Sequence, residues 1–329
     1  MTAITLIALC AVGGALLQAE PSETDAAAVG ILNDAHAVNS LDKTLAFYRD
    51  VFGLNAEPRP LPNPGIPALT DSPGAQLHLA VLRLPNTSFG FELTEFSGVE
   101  RKPGRANISD PGAATLILRV CDLDRVVDAA KKSGVQIVTP SGAPIKLPST
   151  ARGSRAFLMR DPDGYFVEAE DVSPCSGSLS SAGVQSAGMR FAMADRDATL
   201  RFYRDLLGFK LTGGTEFIVN QAIIDFAGVP KGSQSRALSG TVPGTNDSIA
   251  FYEFKDLSRA SFHLRVRDPG APALSLRVKD LDGLLKRMRA AGVPVESARG
   301  EVVQFTPAIR SIFVEDPNGV NVELYETTQ

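Results

Sequence analysis

An α+β fold made of four copies of one βαβββ module is predicted, and three observations carry that prediction. They are a long internal repeat, four capped amphipathic helices, and four closing strands built on one Glu-centred phrase. Leu45-Ala46-Phe47-Tyr48-Arg49-Asp50 returns as Leu200-Arg201-Phe202-Tyr203-Arg204-Asp205, 155 residues on. Asp161-Pro162-Asp163-Gly164 returns as Asp316-Pro317-Asn318-Gly319 at the same spacing. Between them, Asp110-Pro111-Gly112-Ala113 returns as Asp268-Pro269-Gly270-Ala271, 158 residues on. The chain is therefore a duplication joined in the Ser/Gly-rich stretch Ser173 to Gly188, and each half is doubled again.

The helices are expected over Leu41 to Phe52, Leu123 to Ser133, Arg196 to Leu207 and Leu281 to Ala291. Ser40, Asp122, Asp195 and Asp280 precede them as N-caps whose side-chain oxygens accept the first free amides. Glycine follows each helix, at 53, 134, 208 or 292, as a left-handed helix end favours. The closing strands carry Phe91-Glu92-Leu93, Val167-Glu168-Ala169, Tyr252-Glu253-Phe254 and Val322-Glu323-Leu324. Strand alternation turns each Glu away from its apolar neighbours, so all four are expected on one concave face. A sheet with one apolar face needs a partner, so the modules should pair, within a half or between halves. The segment Glu57 to Pro73 holds six prolines and reads as an irregular loop, either roofing a cavity or stiffening the surface.

With 329 residues and 44% hydrophobic content, the chain can bury the cores of two domains. A net charge of −4, with basic residues dispersed, excludes a nucleic-acid or anionic-membrane footprint. The expected organisation is a signal peptide over 1–19, a first domain over 29–172, a linker over 173–187 and a second domain over 188–329. Ala3 to Leu17 is uncharged and shorter than the roughly 20 residues that cross a bilayer, so export with signal cleavage is expected, and no membrane partner afterwards. Cys121 and Cys175 read as a buried small residue and a linker thiol, with nothing in their spacing to pair them.

The phrases Leu41 to Asp50 and Asp161 to Glu168 resemble the glyoxalase / bleomycin-resistance / extradiol-dioxygenase group, the vicinal oxygen chelate (VOC) superfamily. The resemblance implies paired modules closed into two cupped mixed β-sheets, each with a cavity. In that group a divalent metal on the cavity floor takes His or Gln from the first strand and Glu from the last, and acts as a Lewis acid on two vicinal substrate oxygens. Zn, Ni, Fe or Mn would suit such ligands.

Carried over residue by residue, the last-strand positions are Glu92, Glu168, Glu253 and Glu323, and the first-strand positions are Asn33, Thr115, Gly188 and Ala273. None of the latter is histidine. His36 stands three residues after Asn33, on the opposite face of a regular strand, where it would pack beneath the first helix. A bulge would rotate it inward and complete a metal set of His36, Glu92 and Glu168 in the first domain. The regular register is expected, because it aligns the caps Ser40 and Asp195 without an insertion. The second domain is expected to lack metal. His78 and Arg236, 158 residues apart, are candidate ligand-binding residues beside Asn33 and Thr115, or else members of a solvated strand face. His263 reads as a surface or rim residue.

Two functions are open at this point. One is a metal-free module that holds a small apolar or aromatic molecule between cupped sheets. The other is a metal-dependent lyase, isomerase or epimerase that abstracts a proton next to a carbonyl, with Glu92 or Glu168 as base and His36 helping to hold the metal. Ring-cleaving dioxygenase chemistry is excluded. Its tyrosine place is Leu158 or Phe313, and no histidine lies near residues 148–156 or 303–311, just upstream of the Asp-Pro-x-Gly turns.

Overall fold

The computed structural model describes residues 26–147, 154–175 and 183–327. The expected signal peptide and part of the linker lie outside the described residues. Module one comprises β1 (Ala28–Ala37), α1 (Leu41–Phe47, continued by the wider turn Tyr48–Phe52), β2 (Arg59–Pro60), α2 (Ile66–Leu69), β3 (Gln76–Arg83) and β4 (Gly90–Ser97). Module two holds β5 (Ala114–Val120), α3 (Leu123–Ser133), β6 (Ile145–Lys146), β7 (Arg155–Arg160) and β8 (Phe166–Asp171). Module three runs through β9 (Val184–Ala192), α4 (Arg196–Leu200, continued by Arg201–Leu206), β10 (Lys210–Gly213), β11 (Ile218–Val219), α5 (Gln221–Ala227), β12 (Gln234–Thr241) and β13 (Ser248–Lys255). Module four adds β14 (Pro272–Val278), α6 (Leu281–Ala290), β15 (Val303–Thr306), β16 (Ile309–Glu315) and β17 (Asn321–Thr327).

All four expected caps form: Ser40, Asp122, Asp195 and Asp280 accept from the backbone N–H of Lys43, Arg125, Ala198 and Gly283. Two cupped mixed sheets result, ordered β15-β16-β17-β14-β1-β4-β3-β2 and β10-β12-β13-β9-β5-β8-β7-β6, with β11 beside β12. The modules thus join across the halves. Module one continues into module four through the antiparallel pair β1–β14, and module two into module three through β5–β9. We refer to these as the first and second sheets.

Within each half the modules meet back to back. Their helices and apolar sheet faces form one continuous core that includes Phe47, Tyr48, Phe91, Phe191, Tyr203 and Phe251. The Asp-Pro-x-Gly turns clasp the helices across this core. Asp163 accepts from the Asn39 amide and the Thr44 hydroxyl at 2.8 and 2.7 Å, and Asp161 accepts from the Tyr48 hydroxyl at 3.4 Å. The second half repeats the clasp, with Asn318 accepting from the Ala194 amide and the Thr199 hydroxyl and Asp316 from the Tyr203 hydroxyl.

His36 sits in the first of these clasps. Its Nε2 lies 2.8 Å from Asp161 Oδ2, both side chains are fully buried, and its ring packs on Tyr165. A bulge does occur in β1, but between Ile31 and Asn33, upstream of the segment that places His36. Asn33 therefore faces the cavity while Asp34 and His36 face the helices. The inward, metal-ligating placement of His36 is overturned by this register. Cys121 and Cys175 also depart from expectation: they form a disulfide with Cα atoms 5.7 Å apart, tying the end of β5 to the segment after β8.

Burial pushes the Asp34 carboxyl up to about 7, against the opposing hydrogen bond from Tyr165. For His36, burial pulls the pKa down, but the Asp161 carboxylate outweighs it and the net shift is upward. Both signs give one trend. A carboxyl with a raised folded pKa loses stability as pH climbs from its unfolded value, about 4, towards its folded one. A histidine with a raised folded pKa stabilises fully below about 6.5 and stops doing so as pH passes the folded value. The thermal midpoint should therefore fall as pH is raised from about 4 to about 7, and Asp34→Asn should make the acid half of that slope shallower. An identical slope in the variant would locate the titration elsewhere. Reducing the disulfide, which closes a 54-residue loop, should cost about 4 kcal/mol by loop entropy, measurable as a lower denaturation midpoint with reductant.

Candidate functional site

The first sheet's concave face encloses a cavity of about 260 Å³. Its walls are apolar, with Leu61, Leu69, Leu79, Phe96, Phe305 and Phe313 among the lining residues. The proline-rich segment supplies the roof: Leu61 and the single helical turn of α2, through Ile66 and Leu69, cover the cup. At one pole stand Asn33, Glu92, Ser275 and Glu323. Register explains their convergence, since Asn33 lies opposite Ser275 across β1–β14, and Ser275 lies beside Glu323.

Every donor at this pole points at a carboxylate. Asn33 Nδ2 donates to Glu92 Oε2 at 2.8 Å, and the Ser275 and Ser311 hydroxyls donate to the two oxygens of Glu323, each at 2.6 Å. Burial first, and the Glu323 charge second, push Glu92 up to about 7, with Arg59 at the cavity edge opposing. Glu92 is thus a carboxyl that gains or loses a proton near neutrality inside an apolar cup.

Glu168 is not part of this site. It lies on the concave face of the second sheet, fully buried, where it forms an ion pair with Arg190. The proposed set His36, Glu92 and Glu168 is therefore dispersed over the helix side of one sheet and the cavities of two. The cause is the pairing of modules across halves, which gives Glu92 the company of Glu323 instead. Thr115, opposite Arg190 in register, also faces the second cup. That cup is filled. α5 presents Ile223, Phe226 and Ala227 to Phe254, Leu158 and Phe166, leaving a void of about 20 Å³. At Gly188 a Cβ would stand 2.5 Å from Ser248 Oγ, so a side chain at this first-strand ligand position would have to displace the Ser248 hydroxyl.

Three other assignments change. Glu253 faces the helices, where it accepts from the Arg196 amide at 3.0 Å; its counterpart is Glu95, which accepts from the Leu41 amide at 2.8 Å. Ala250, beside Arg190 in β9–β13, takes the place that Glu92 holds beside Ala35. The residue spacing of 158 that links His78 to Arg236 continues to Glu95 and Glu253, a signal that the matching Glu-centred phrases masked. His78 is exposed and pairs across from Glu95, while Leu77 and Leu79 turn into the cavity. Arg236 binds Glu253 at 2.8 Å and lies over the Phe217 ring. Neither residue reaches the open cavity.

The second cup already contains its cation, the Arg190 guanidinium, and a divalent metal there would repeat a charge that is present. Among the described residues no imidazole enters the first cup: His36 borders it, but its ring is fully buried against Asp161 and Tyr165. Both Glu323 oxygens are engaged by hydroxyls and Glu92 by an amide, and two carboxylates without nitrogen suit transition metals poorly. The cavity residues do not fit the metal that the family resemblance implies. Removing one partner of the second-cup pair should leave a buried charge alone. Arg190→Met is expected to destabilise by about 3–5 kcal/mol, and Arg190→Met combined with Glu168→Leu to recover most of that loss, as read by chemical denaturation.

A family model described as the Glyoxalase/Bleomycin resistance protein/Dioxygenase superfamily matches residues 33–169 and 189–324. Comparison with curated protein sequences gives no match. Among solved structures, glyoxalase I from Zea mays is similar at 17% identity, covering 90% of this chain and 92% of that one with a TM-score of 0.57. A putative dioxygenase from Bacillus subtilis is similar at 13% identity, covering 92% and 87% with a TM-score of 0.57. At these identities the structures share the fold. With two tandem matches spanning most of its length and two cupped mixed sheets in the structure, the chain belongs to the Glyoxalase/Bleomycin resistance protein/Dioxygenase superfamily.

Proposed function

We propose that this chain binds a small organic molecule in the cavity of its first sheet, without a resident transition metal, and does so outside the cytoplasm. One observation carries the reading: an apolar cup of about 260 Å³ whose pole consists of acceptors, Glu92 and Glu323. A complementary ligand has an apolar body and a hydrogen-bond donor at one end, an amine or a hydroxyl. The uncharged apolar run Ala3 to Leu17 and the Cys121–Cys175 disulfide support this placement in an oxidising compartment.

Turnover is the second reading, and the Glu92 pKa favours it. A carboxyl held at about 7 is matched to a general base at neutral pH and would accept a proton from a carbon next to a carbonyl. In that reading the protein is a metal-independent lyase, isomerase or epimerase. Solvent-deuterium incorporation into a bound carbonyl compound separates it from plain binding.

Binding itself is tested with benzylamine, benzyl alcohol and benzoate as probes, followed by NMR titration. Benzylamine should bind best, and its affinity should rise as pH passes about 7, because Glu92 then carries its charge. Glu92→Gln should weaken benzylamine binding by about ten- to a hundredfold, the worth of a hydrogen bond to a charged group. No saturable shift from any probe at cavity residues would refute the reading.

A further inference from the structure

We propose that His263, Glu296 and Glu315 form a binding site for one divalent transition-metal ion of the Zn²⁺ type, on the rim of module four and separate from the cavity. The three residues come from different segments: the strap between β13 and β14, the stretch after α6, and the last residue of β16. One ligand atom from each lies within 4.8 Å of the other two. His263 Nδ1 stands 3.0 Å from Glu315 Oε2. That is a hydrogen-bond separation, and two ligands bonded at about 2.0–2.2 Å to one tetrahedral ion stand about 3.3–3.6 Å apart, so a small opening of the pair admits the ion. The Glu296 and Glu315 carboxyls also lie within 4.8 Å of each other, and two carboxylates so close favour a positive charge or a proton between them.

The duplication supplies an independent comparison. The strap bond from Phe262 N to Pro111 O mirrors the bond from Gly104 N to Pro269 O, and the bridge Val295–Val314 mirrors Ile137–Met159. These pairs make Arg105, Val138 and Arg160 the counterparts of His263, Glu296 and Glu315. In the first half, Arg160 donates to the Gly164 and Ala106 carbonyls at 2.6 Å each and stacks 3.9 Å over Phe166. The same place holds two arginines and a valine in one half and an imidazole with two carboxylates in the other, so the donor set is particular to the second half.

Access and ligand type fit a metal. The His263 and Glu315 side chains are 40% and 24% exposed, and Glu315 lines a surface depression of about 430 Å³. Three protein donors leave positions for water, and an imidazole favours Zn²⁺ over the all-oxygen preference of Ca²⁺ and Mg²⁺. The bound ion would fasten the strap to β16.

Metal-free protein titrated with ZnCl₂ tests the assignment by calorimetry and thermal midpoint. One ion per chain should bind and raise the midpoint. His263→Ala and Glu315→Gln should each weaken binding at least about tenfold, while Glu92→Gln should leave it unchanged. MgCl₂ at equal concentration should not raise the midpoint. Zn²⁺ uptake that survives His263→Ala, or that vanishes in Glu92→Gln, overturns the site. So does a dissociation constant weaker than about 1 mM. Should Glu315→Gln fail to fold, His263→Ala decides alone, since its side chain is 40% exposed.

Discussion

Antiparallel pairing of the first strands across the two halves governs what this protein can do. β1 pairs with β14 and β5 with β9, each through a run of backbone hydrogen bonds whose register fixes the facing residues. Once Asn33 stands opposite Ser275, Glu92 and Glu323 necessarily look into one cup. Once Thr115 stands opposite Arg190, Glu168 necessarily meets a guanidinium. A one-residue slip in either pair would turn one partner module's side chains to the opposite face and separate these pairs. Register is held by burial, because the opposite faces of the same strands carry Leu116, Leu118, Leu274 and Leu276 into the common core.

That core contains an asymmetry of its own. Both halves use an Asp at the start of the Asp-Pro-x-Gly turn to receive a buried tyrosine hydroxyl. Only the first half adds Asp34, His36 and Tyr165, where the second has Met189, Phe191 and Val320 at the repeat spacing. The apolar version shows that the scaffold does not require the polar one. Buried networks of this kind bring little net stability against an apolar replacement, and breaking them piecemeal is costly. Asp34 Oδ2 and His36 Nδ1 have no hydrogen-bond partner among the described residues, so part of this desolvation cost is uncompensated. The network ties β1 of the first sheet to the β7–β8 turn of the second through His36 and Asp161.

Local features were legible in the sequence because each depends on a few adjacent residues. Caps at Ser40, Asp122, Asp195 and Asp280, the four helices and the helix-facing register of His36 all follow from spacing along one strand or helix. Module pairing was not legible. Four similar modules offer similar edges, and nothing local to β1 states whether β5 or β14 completes its sheet. The error in Glu253 has another origin. Its flanking apolar residues, Tyr252 and Phe254, imitate Phe91 and Leu93 around Glu92, and matching by residue type displaced the alignment by three positions. The disulfide was hidden for the same reason as the pairing: Cys121 and Cys175 lie 54 residues apart and meet only through the parallel course of β5 and β8.

One scaffold position has been resolved in several ways, and charge is the thread that connects them. A carboxylate at the end of a closing strand faces a low-dielectric cup, where an unpaired charge is strongly disfavoured. Arg190 neutralises Glu168 directly, and with its cup plugged by α5 no ligand is needed. Glu323 is held by two hydroxyls, and Glu92 beside it approaches neutrality by keeping a proton to about pH 7. The remaining position, Ala250, has lost the acid altogether. Only the first cup therefore combines open volume with an incompletely compensated acid, and open volume follows from length. α2 has 4 residues where α5 has 7, so the roof of the first cup reaches its rim without entering it. A small difference in one connecting helix separates a sealed core from a cavity, and the carboxyl at its pole is left for a ligand to satisfy.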